Sequence, residues 1–271
     1  MWYRTHWPSR TELMRIRGAA VPGGEEAPVR YVPVPLHSIA PDMITAAVTA
    51  EDARFWTHGG IDWHEVRHAL GYRRGRFGWA SAEDRGEMWR ALGSVPGRRE
   101  ALRGASTITQ QVAKNLYLSP SRNPLRKAKE AVTAYRLEAA LPKRRILELY
   151  LNIAELGEGV WGVEAASRRY YGKPARGLTR SQAAALAATL PFPLSSNPAY
   201  RPVRMRTRQI LILRRMSGER IEVPPVLEEP ITQPGDSVVW TPGMDSLLDS
   251  LRAPIETLPA VSPPAAAASP G

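Results

Sequence analysis

Apolar and polar positions follow a helical period through residues 106–215. Apolar side chains recur there three and four positions apart, the spacing of a helix with one buried face. The pair Asn123-Pro124 predicts a helix start, because asparagine caps a helix and proline fits its first turn. The apolar face of this predicted helix is Leu125, Ala128, Val132, Tyr135 and Ala139.

Local signals predict further helix ends in the same stretch. Pro142 opens one helix and Gly172 stops another. Thr179 with Gln182 forms a capping box ahead of the alanine-rich residues 183–188. No strand-like alternation of useful length is present, so we predict a mainly α fold.

The chain divides into three parts. Residues 1–35 are interrupted by proline and glycine and predict an extended N-terminal segment. Residues 36–217 predict one helical domain, with a helix from Pro41 and a glycine-punctuated insert over about residues 71–103 that holds one short helix. Residues 218–271 are rich in proline and alanine and predict a disordered tail.

Composition narrows the classes of function. The 271 residues include no cysteine, which excludes a disulfide framework, a thiolate zinc site and a cysteine nucleophile. The net charge of +11 indicates an anionic partner, namely a nucleic acid, an anionic membrane surface or a phosphorylated substrate. No stretch reaches the roughly 18 consecutive apolar residues of a membrane span, and no signal peptide is visible at the N-terminus.

Three clusters of polar residues could carry chemistry. Glu51 and Asp52 end a predicted helix, where acids oppose the helix dipole, and such a conflict often marks a functional site. Hydroxyl and amide side chains open the next helix, over residues 104–115, and suit phosphate or sugar oxygens. Residues 122–130 set Glu130 among cations, as a diphosphate site would require. Solvated helix ends and a surface ion pair are the alternatives.

The patterns of two later clusters indicate residues that mainly pack against neighbouring helices. Glu148 and Asn152 share a helix face and would brace a site from behind. Gly162, with the alanines that follow it, permits a close approach between helices.

In this order the five clusters resemble the five motifs of glycosyltransferase family 51, the peptidoglycan glycosyltransferases. The first three resemble Glu-Asp-x-x-Phe-x-x-His-x-Gly (51–60), Gly-x-Ser-Thr-Ile-Thr-Gln-Gln with Lys-Asn (104–115) and Arg-Lys-x-x-Glu (126–130). Residues 146–152 and 159–173 match the fourth and fifth. The resemblance covers about residues 36–217. Nothing resembling a transpeptidase domain follows, which favours a monofunctional enzyme.

The resemblance implies a lysozyme-like, two-lobed fold whose cleft holds two lipid-linked substrates. Glu51 would be the general base for the C4 hydroxyl of the acceptor, and Glu130 would orient substrate and assist charge development. The residues that the resemblance places in substrate binding are Asp52, Phe55, His58, Ser106, Thr107, Gln110, Gln111, Lys114, Asn115, Arg122, Arg126 and Lys129. No side chain is implied as a metal ligand.

The implied reaction polymerises lipid II into a β-1,4-linked glycan strand and releases polyprenyl diphosphate. It requires no established cofactor, although a divalent cation, Mg²⁺ or Mn²⁺, would suit the donor diphosphate. The implied partners are the growing strand, the membrane surface and proteins of cell-wall synthesis or division, with no nucleic acid. The implied location is the periplasmic face of the bacterial plasma membrane.

The family's usual N-terminal anchor is not visible in this sequence. Either the start of the sequence is truncated or a surface-associating segment replaces the anchor. The insert is the candidate for such a segment, because aromatic side chains among arginines suit the interface; packing of the insert on its own domain is the alternative. Its large apolar residues are Phe77, Trp79, Met88, Trp89 and Leu92.

Three other functions compete with this interpretation. A lytic transglycosylase or muramidase would share the fold, but a glycosidase needs a general acid and no cationic wall. A non-enzymatic nucleic-acid-binding protein would explain the charge and leave the embedded acids unexplained. An inactive scaffold of the family would not need both Glu51 and Glu130.

Overall fold

The computed structural model of the protein describes residues 2–18, 29–69, 81–93, 106–117 and 124–221. These residues all belong to one of the two units into which the chain divides, Met1–Pro234. The predicted tail lies outside the described residues except for 218–221, and the predicted insert lies outside them except for 81–93.

The described residues form ten α-helices and three short strands. The helices are α1 (Glu12–Gly18), α2 (Pro41–Glu51), α3 (Trp63–Ala69), α4 (Ala82–Gly93), α5 (Ile108–Tyr117), α6 (Pro124–Ala140), α7 (Lys143–Ile153), α8 (Val163–Tyr171), α9 (Arg180–Thr189) and α10 (Val203–Met216). The strands are β1 (Arg30–Tyr31), β2 (Glu155–Gly157) and β3 (Val160–Trp161). This confirms the predicted mainly α fold. No helix within the described ranges is long and apolar enough to cross a membrane.

Helix ends follow the local signals of the sequence. α6 begins at Pro124, and Pro142 is the N-cap of α7. Gly172 ends α8 in the left-handed conformation, with φ of 67°. Thr179 and Gln182 form both hydrogen bonds of the capping box that opens α9. These predictions are confirmed because a cap depends on a few neighbouring residues.

One side of the core is formed by three helices that pack against one another, namely α2, α9 and α10. The central one, α9, is buried along all of residues 183–189, and five of these seven side chains are alanine. Small side chains allow helix axes to approach closely. On the other side, α5 packs against α6 and α7.

The buried face of α6 differs from the prediction. Ala134, Leu137 and Glu130 are buried, whereas Val132 and Tyr135 are 53% and 45% exposed. The prediction was wrong because it assumed that the more apolar face would be buried. The helix instead turns the Glu130 carboxylate inward, which leaves an apolar stripe outside.

A helix lies within the first 35 residues, where an extended segment was predicted. Leu13 and Met14 of α1 pack in a small cluster with Trp161, and Tyr31 borders it. A helix of seven residues has little stability of its own and depends on such tertiary contacts. Its sequence pattern is correspondingly weak.

The three strands form one small sheet, ordered β1-β3-β2. β1 pairs with β3 in parallel and β2 pairs with β3 antiparallel. The sequence did not predict this sheet, because strands of two or three residues show almost no alternation.

Gly162 allows the chain to turn from this sheet into α8. Its φ is +81°, and a Cβ atom placed there would lie 2.3 Å from the carbonyl oxygen of Asn152. The close approach predicted at Gly162 is therefore present. It brings the turn before α8, and not a second helix, against the backbone of α7.

We expect Gly162→Ala to lower the free energy of unfolding by about 3 kcal/mol, because the backbone conformation and the contact both penalise a methyl group. Urea unfolding followed by circular dichroism measures the loss. Gly86→Ala is the control, since a Cβ atom there meets nothing within 4 Å and Gly86 lies in α4. Equal stability of the Gly162→Ala variant and the wild type would contradict the expectation.

Candidate active site

Glu51, the last residue of α2, has a hydrogen-bond donor on each carboxylate oxygen. Gln111 Nε2 of α5 donates to Oε2 at 3.0 Å, and Arg208 Nη2 of α10 donates to Oε1 at 3.2 Å. The Glu51 side chain is only 8% exposed. Three helices therefore fix the position of one carboxylate, as a group that must meet a reacting hydroxyl requires.

Arg208 is a residue of the site that no sequence pattern predicted. Its side chain is 7% exposed, and besides Glu51 it binds the carbonyl oxygen of Ala50 at 2.9 Å. The C-terminal end of α2 carries a partial negative charge, and acids at that end are electrostatically unfavourable. The Arg208 cation offsets both charges. One arginine among many in a basic helix gives no local signal of this contact.

Gln111 is itself held in orientation by a third group. Tyr150 of α7 donates its hydroxyl hydrogen to Gln111 Oε1 at 3.1 Å. Because that oxygen accepts from Tyr150, the amide nitrogen faces Glu51. A line of hydrogen bonds thus runs from α7 through α5 to the carboxylate.

Asp52 and His58 join the first two motifs. His58 Nε2 lies 2.9 Å from Asp52 Oδ1, and the backbone N–H of Ile108 donates to Asp52 Oδ2 at 3.0 Å. The acid thereby binds the first turn of α5, where free N–H groups favour an anion. Their predicted contact with substrate stays a prediction, since both side chains already have protein partners.

Thr107 and Gln110 form the cap of α5. Each accepts from the other's backbone N–H, at 3.1 and 3.2 Å, and the Thr107 hydroxyl donates to the carbonyl of Gly60 at 2.6 Å. Phe55 is fully buried below Lys143, whose Nζ lies 4.3 Å from the ring centroid. These contacts hold the motifs together, and a role of these residues in substrate binding stays a prediction.

Glu130 lies in a second charged group. Lys127 Nζ is 3.0 Å from Glu130 Oε2 and donates to Ser106 Oγ at 2.7 Å. Glu130 is 3% exposed, whereas Lys127 reaches it from the surface with a side chain 46% exposed. The resemblance implies Lys129 in substrate binding, whereas Lys127 is the cation that contacts both Ser106 and Glu130.

The remaining predicted cations are only partly described. Lys129 is exposed on α6. Arg122 and the side chain of Arg126 lie outside the described residues. Lys114 and Asn115 line a pocket beside Gln111.

Glu148 and Asn152 brace the segment that leads into α2. Glu148 Oε2 accepts from the N–H of Leu36 at 2.6 Å. The Asn152 amide binds both the N–H and the carbonyl of Val34, at 2.8 and 2.9 Å. Their position on one face of α7 agrees with the prediction, and they act through main-chain contacts.

Three potential metal ligands, Asp52, His58 and Asp62, come within 4.8 Å of one another. Asp62 Oδ1 accepts from two N–H groups at the start of α3, and Oδ2 lies 3.0 Å from Arg54 Nε. Protein groups thus already contact both carboxylates, whereas the Nδ1 atom of His58 is buried without a hydrogen-bond partner.

The family model described as Transglycosylase matches residues 24–78 and 74–217. The chain belongs to the transglycosylase family. One similar curated protein is the "Biosynthetic peptidoglycan transglycosylase" of Bordetella pertussis. It is 40% identical to this chain over 225 residues, which cover 83% of this chain and 85% of the relative. The same name is carried by a Rhodospirillum centenum protein, 43% identical over 79% of this chain and 81% of the relative. The Neisseria gonorrhoeae protein of that name is 39% identical over 81% of this chain and 85% of its own.

These matches confirm the family that the motifs indicated. The residues that surround Glu51 in this transglycosylase, including Arg208, all fall within the matched segments. Helix α1 lies before residue 24, outside both segments.

The Arg208–Glu51 pair can be tested by unfolding. Arg208→Met should lower the free energy of unfolding by about 3 kcal/mol, because it leaves Glu51 buried without its cation. The double variant that combines Arg208→Met with Glu51→Gln should lose less stability than the sum of the two single losses, by about 1 kcal/mol or more.

Arg206→Met, at an exposed position on the same helix, is the matched control and should add to Glu51→Gln without coupling. If Arg208→Met and Glu51→Gln are also strictly additive in urea unfolding, the contact contributes nothing to stability.

Proposed function

We propose that the protein is a monofunctional peptidoglycan glycosyltransferase that polymerises lipid II into β-1,4-linked glycan. Membership of the transglycosylase family and relatives named as biosynthetic peptidoglycan transglycosylases support this proposal. The observation that carries it is a buried carboxylate, Glu51, held by Gln111 and Arg208 at the end of a helix.

In the proposed reaction, Glu51 accepts the proton of the C4 hydroxyl of the acceptor sugar. The freed oxygen attacks C1 of the donor glycan, and the bond from C1 to the polyprenyl diphosphate breaks with inversion. The diphosphate departs with the electron pair of that bond, and the proton stays on Glu51 until it is released to water. Each carboxylate oxygen has two lone pairs, so one donor on each leaves a site for the hydroxyl.

Positive charge is needed where the leaving diphosphate develops its own charge. Lys127 and Lys114 supply it from the described part of the site, and Arg122, Arg126 and Lys129 are proposed to extend the same wall. Glu130 orients these cations and the substrate. A divalent cation at the donor diphosphate would add to the same stabilisation.

We place the enzyme at the outer face of the plasma membrane, where lipid II is used. The outer stripe of α6 offers one contact: Val132 and Tyr135 are exposed, and Trp63 of α3, 56% exposed, donates its indole N–H to the Tyr135 hydroxyl at 2.9 Å. Aromatic side chains of this kind prefer the interfacial zone. Of the insert residues proposed for attachment, Trp89 is described and is 67% exposed.

Glu51→Gln should reduce polymerisation of labelled lipid II in detergent by roughly 10² to 10⁴-fold, the usual contribution of a general base. Wild-type protein should make polymer and leave preformed peptidoglycan intact. A matched control is Glu65→Gln, an exposed acid on α3. Near-normal polymer from folded Glu51→Gln protein would remove the assigned base, and solubilisation of peptidoglycan by the wild type would favour a lytic enzyme.

Wild-type protein should also co-sediment with vesicles that contain anionic lipid. Changing Trp63 and Tyr135 to serine should reduce the pelleted fraction, because it removes the exposed aromatic surface. Tyr200→Ser is the control, since Tyr200 is 48% exposed in the segment between α9 and α10. Equal sedimentation of the folded double variant and the wild type would exclude this surface, and serine at Trp89 would then test the insert.

A further inference from the structure

The excess positive charge of the protein is concentrated in one stretch of sequence, residues 165–221. This stretch contains twelve of the 37 lysines and arginines but only one of the 26 acids, Glu219, so its net charge is +11. The other residues of the chain contain 25 basic and 25 acidic side chains and are neutral overall. The net charge of the whole chain, +11, is therefore the charge of this stretch alone.

The proposed diphosphate site does not account for this excess, because its cations all belong to the neutral part of the chain. They are Lys114, Arg122, Arg126, Lys127 and Lys129. An anionic partner that explains the charge must therefore bind elsewhere.

Most of the twelve basic residues have no role in the site. Arg208 is buried against Glu51, and seven of the others follow residue 173, where the fifth motif ends. The resemblance therefore assigns those seven residues no function. Arg214, one of the seven, is paired with Glu219, the single acid of the stretch, at 2.8 Å.

Four exposed arginines lie near the junction of α9 and α10, and we call them the basic surface. They are Arg176, Arg180, Arg206 and Arg220. Arg180 is the first residue of α9, and Arg176 lies in the short turn that precedes this helix. An arginine side chain keeps its positive charge at any physiological pH.

Hydrogen bonds join the two helices that carry the basic surface. Arg180 Nη2 donates to the Oγ atom of Ser217, just beyond α10, at 3.1 Å. Gln209 Nε2 of α10 donates to the carbonyl oxygen of Ser181 at 2.8 Å. Arg206 lies one helical turn before Gln209, and the rise from Arg206 to Ser217 is roughly 16 Å at 1.5 Å per residue. The charges are thus spread along a junction long enough for an extended polymer.

The surroundings of the basic surface favour a hydrophilic polyanion over a lipid bilayer. Protein segments that bind a membrane surface combine cations with exposed apolar side chains. Within residues 165–199 and 204–221, all of which the structure describes, no large hydrophobic side chain is exposed. In addition, α9 and α10 form one side of the core, whereas α6, which carries the exposed Tyr135, packs on the other.

Peptidoglycan is the polyanion that the proposed function brings to the protein. Its disaccharides carry peptides with free carboxylates, so negative charges recur along each strand. Arginine suits this partner, because its planar guanidinium can bind a carboxylate through two parallel hydrogen bonds. We propose that the basic surface binds the peptide carboxylates of peptidoglycan strands, outside the site that holds Glu51. This inference rests on the proposed function, because it takes the polymer to be the product of this enzyme.

Co-sedimentation with isolated, insoluble peptidoglycan tests the proposal. Changing all four arginines of the basic surface to glutamine should raise the dissociation constant about 10-fold, because each exposed ion pair contributes modestly and four are lost. Added salt should weaken binding of the wild type. Amidation of the peptide carboxylates should remove the difference between the wild type and the variant.

A matched control removes the same number of charges from other exposed positions. It changes Arg4, Arg30, Arg136 and Arg144 to glutamine, so that the net charge falls equally. This control should bind peptidoglycan like the wild type. Equal binding by the wild type and the folded basic-surface variant, or an equal loss in both variants, would show that the basic surface is not the binding site. Weaker binding of the basic-surface variant to anionic vesicles, with peptidoglycan binding unchanged, would assign the surface to the membrane and refute the proposal.

Polymerisation of lipid II in detergent, measured on the same proteins, separates this proposal from the proposed function. Both quadruple variants should polymerise at the wild-type rate, because none of the changed residues contacts Glu51 or the diphosphate site. If the wild type makes polymer and only the sedimentation result fails, the surface proposal is wrong and the function stands. If the wild type makes no polymer, the function fails, and selective loss of peptidoglycan binding by the basic-surface variant would still support the surface.

Discussion

The site depends on keeping one carboxylate charge inside the protein. Burying a carboxylate is costly unless nearby cations and donors compensate for the lost water. At Glu51 the compensation comes from α10 through Arg208 and from α5 through Gln111, while α2 supplies the acid itself. The packing of these three helices and the electrostatics of the site are therefore one requirement, because moving any of the helices would leave a charge or an amide unpaired.

The second acid has a different environment. Glu130 is more deeply buried than Glu51, with side chains 4% and 8% exposed, but its described cation, Lys127, approaches from the surface and also binds Ser106. Lysine presents a point charge on a flexible chain, whereas the buried arginine beside Glu51 is planar and fixed. The two acids thus differ in how firmly their described cations are held, since one cation is buried and the other is half exposed.

The sequence predicted the features that depend on neighbouring residues. Helix starts at Pro124 and Pro142, the cap formed by Thr179 and Gln182, and the acids at the end of α2 all depend on a few consecutive side chains. The motifs identified the family for the same reason, since each is contiguous and its spacing is specific.

Features created by distant contacts were not predicted. Arg208 meets Glu51 across 157 positions of sequence, and Lys127 meets Ser106 across 21. α1 and the small sheet are too short to show a period, and the face of α6 was misassigned because a buried acid overrode apolarity. In each case tertiary contacts decide the outcome, and local pattern carries little of that information.

The alanines of α9 have a consequence for the charge of Glu51. α9 packs against both α2, which carries Glu51, and α10, which carries Arg208. Because α2 and α10 also pack directly against each other, the methyl groups of α9 help to fix where these two helices lie, and with them the distance between the acid and its cation. Adding even one or two carbon atoms to these side chains would shift α2 or α10 and change that distance without touching either charged residue. Substitutions deep in the apolar core of this protein can accordingly act as changes in its electrostatics.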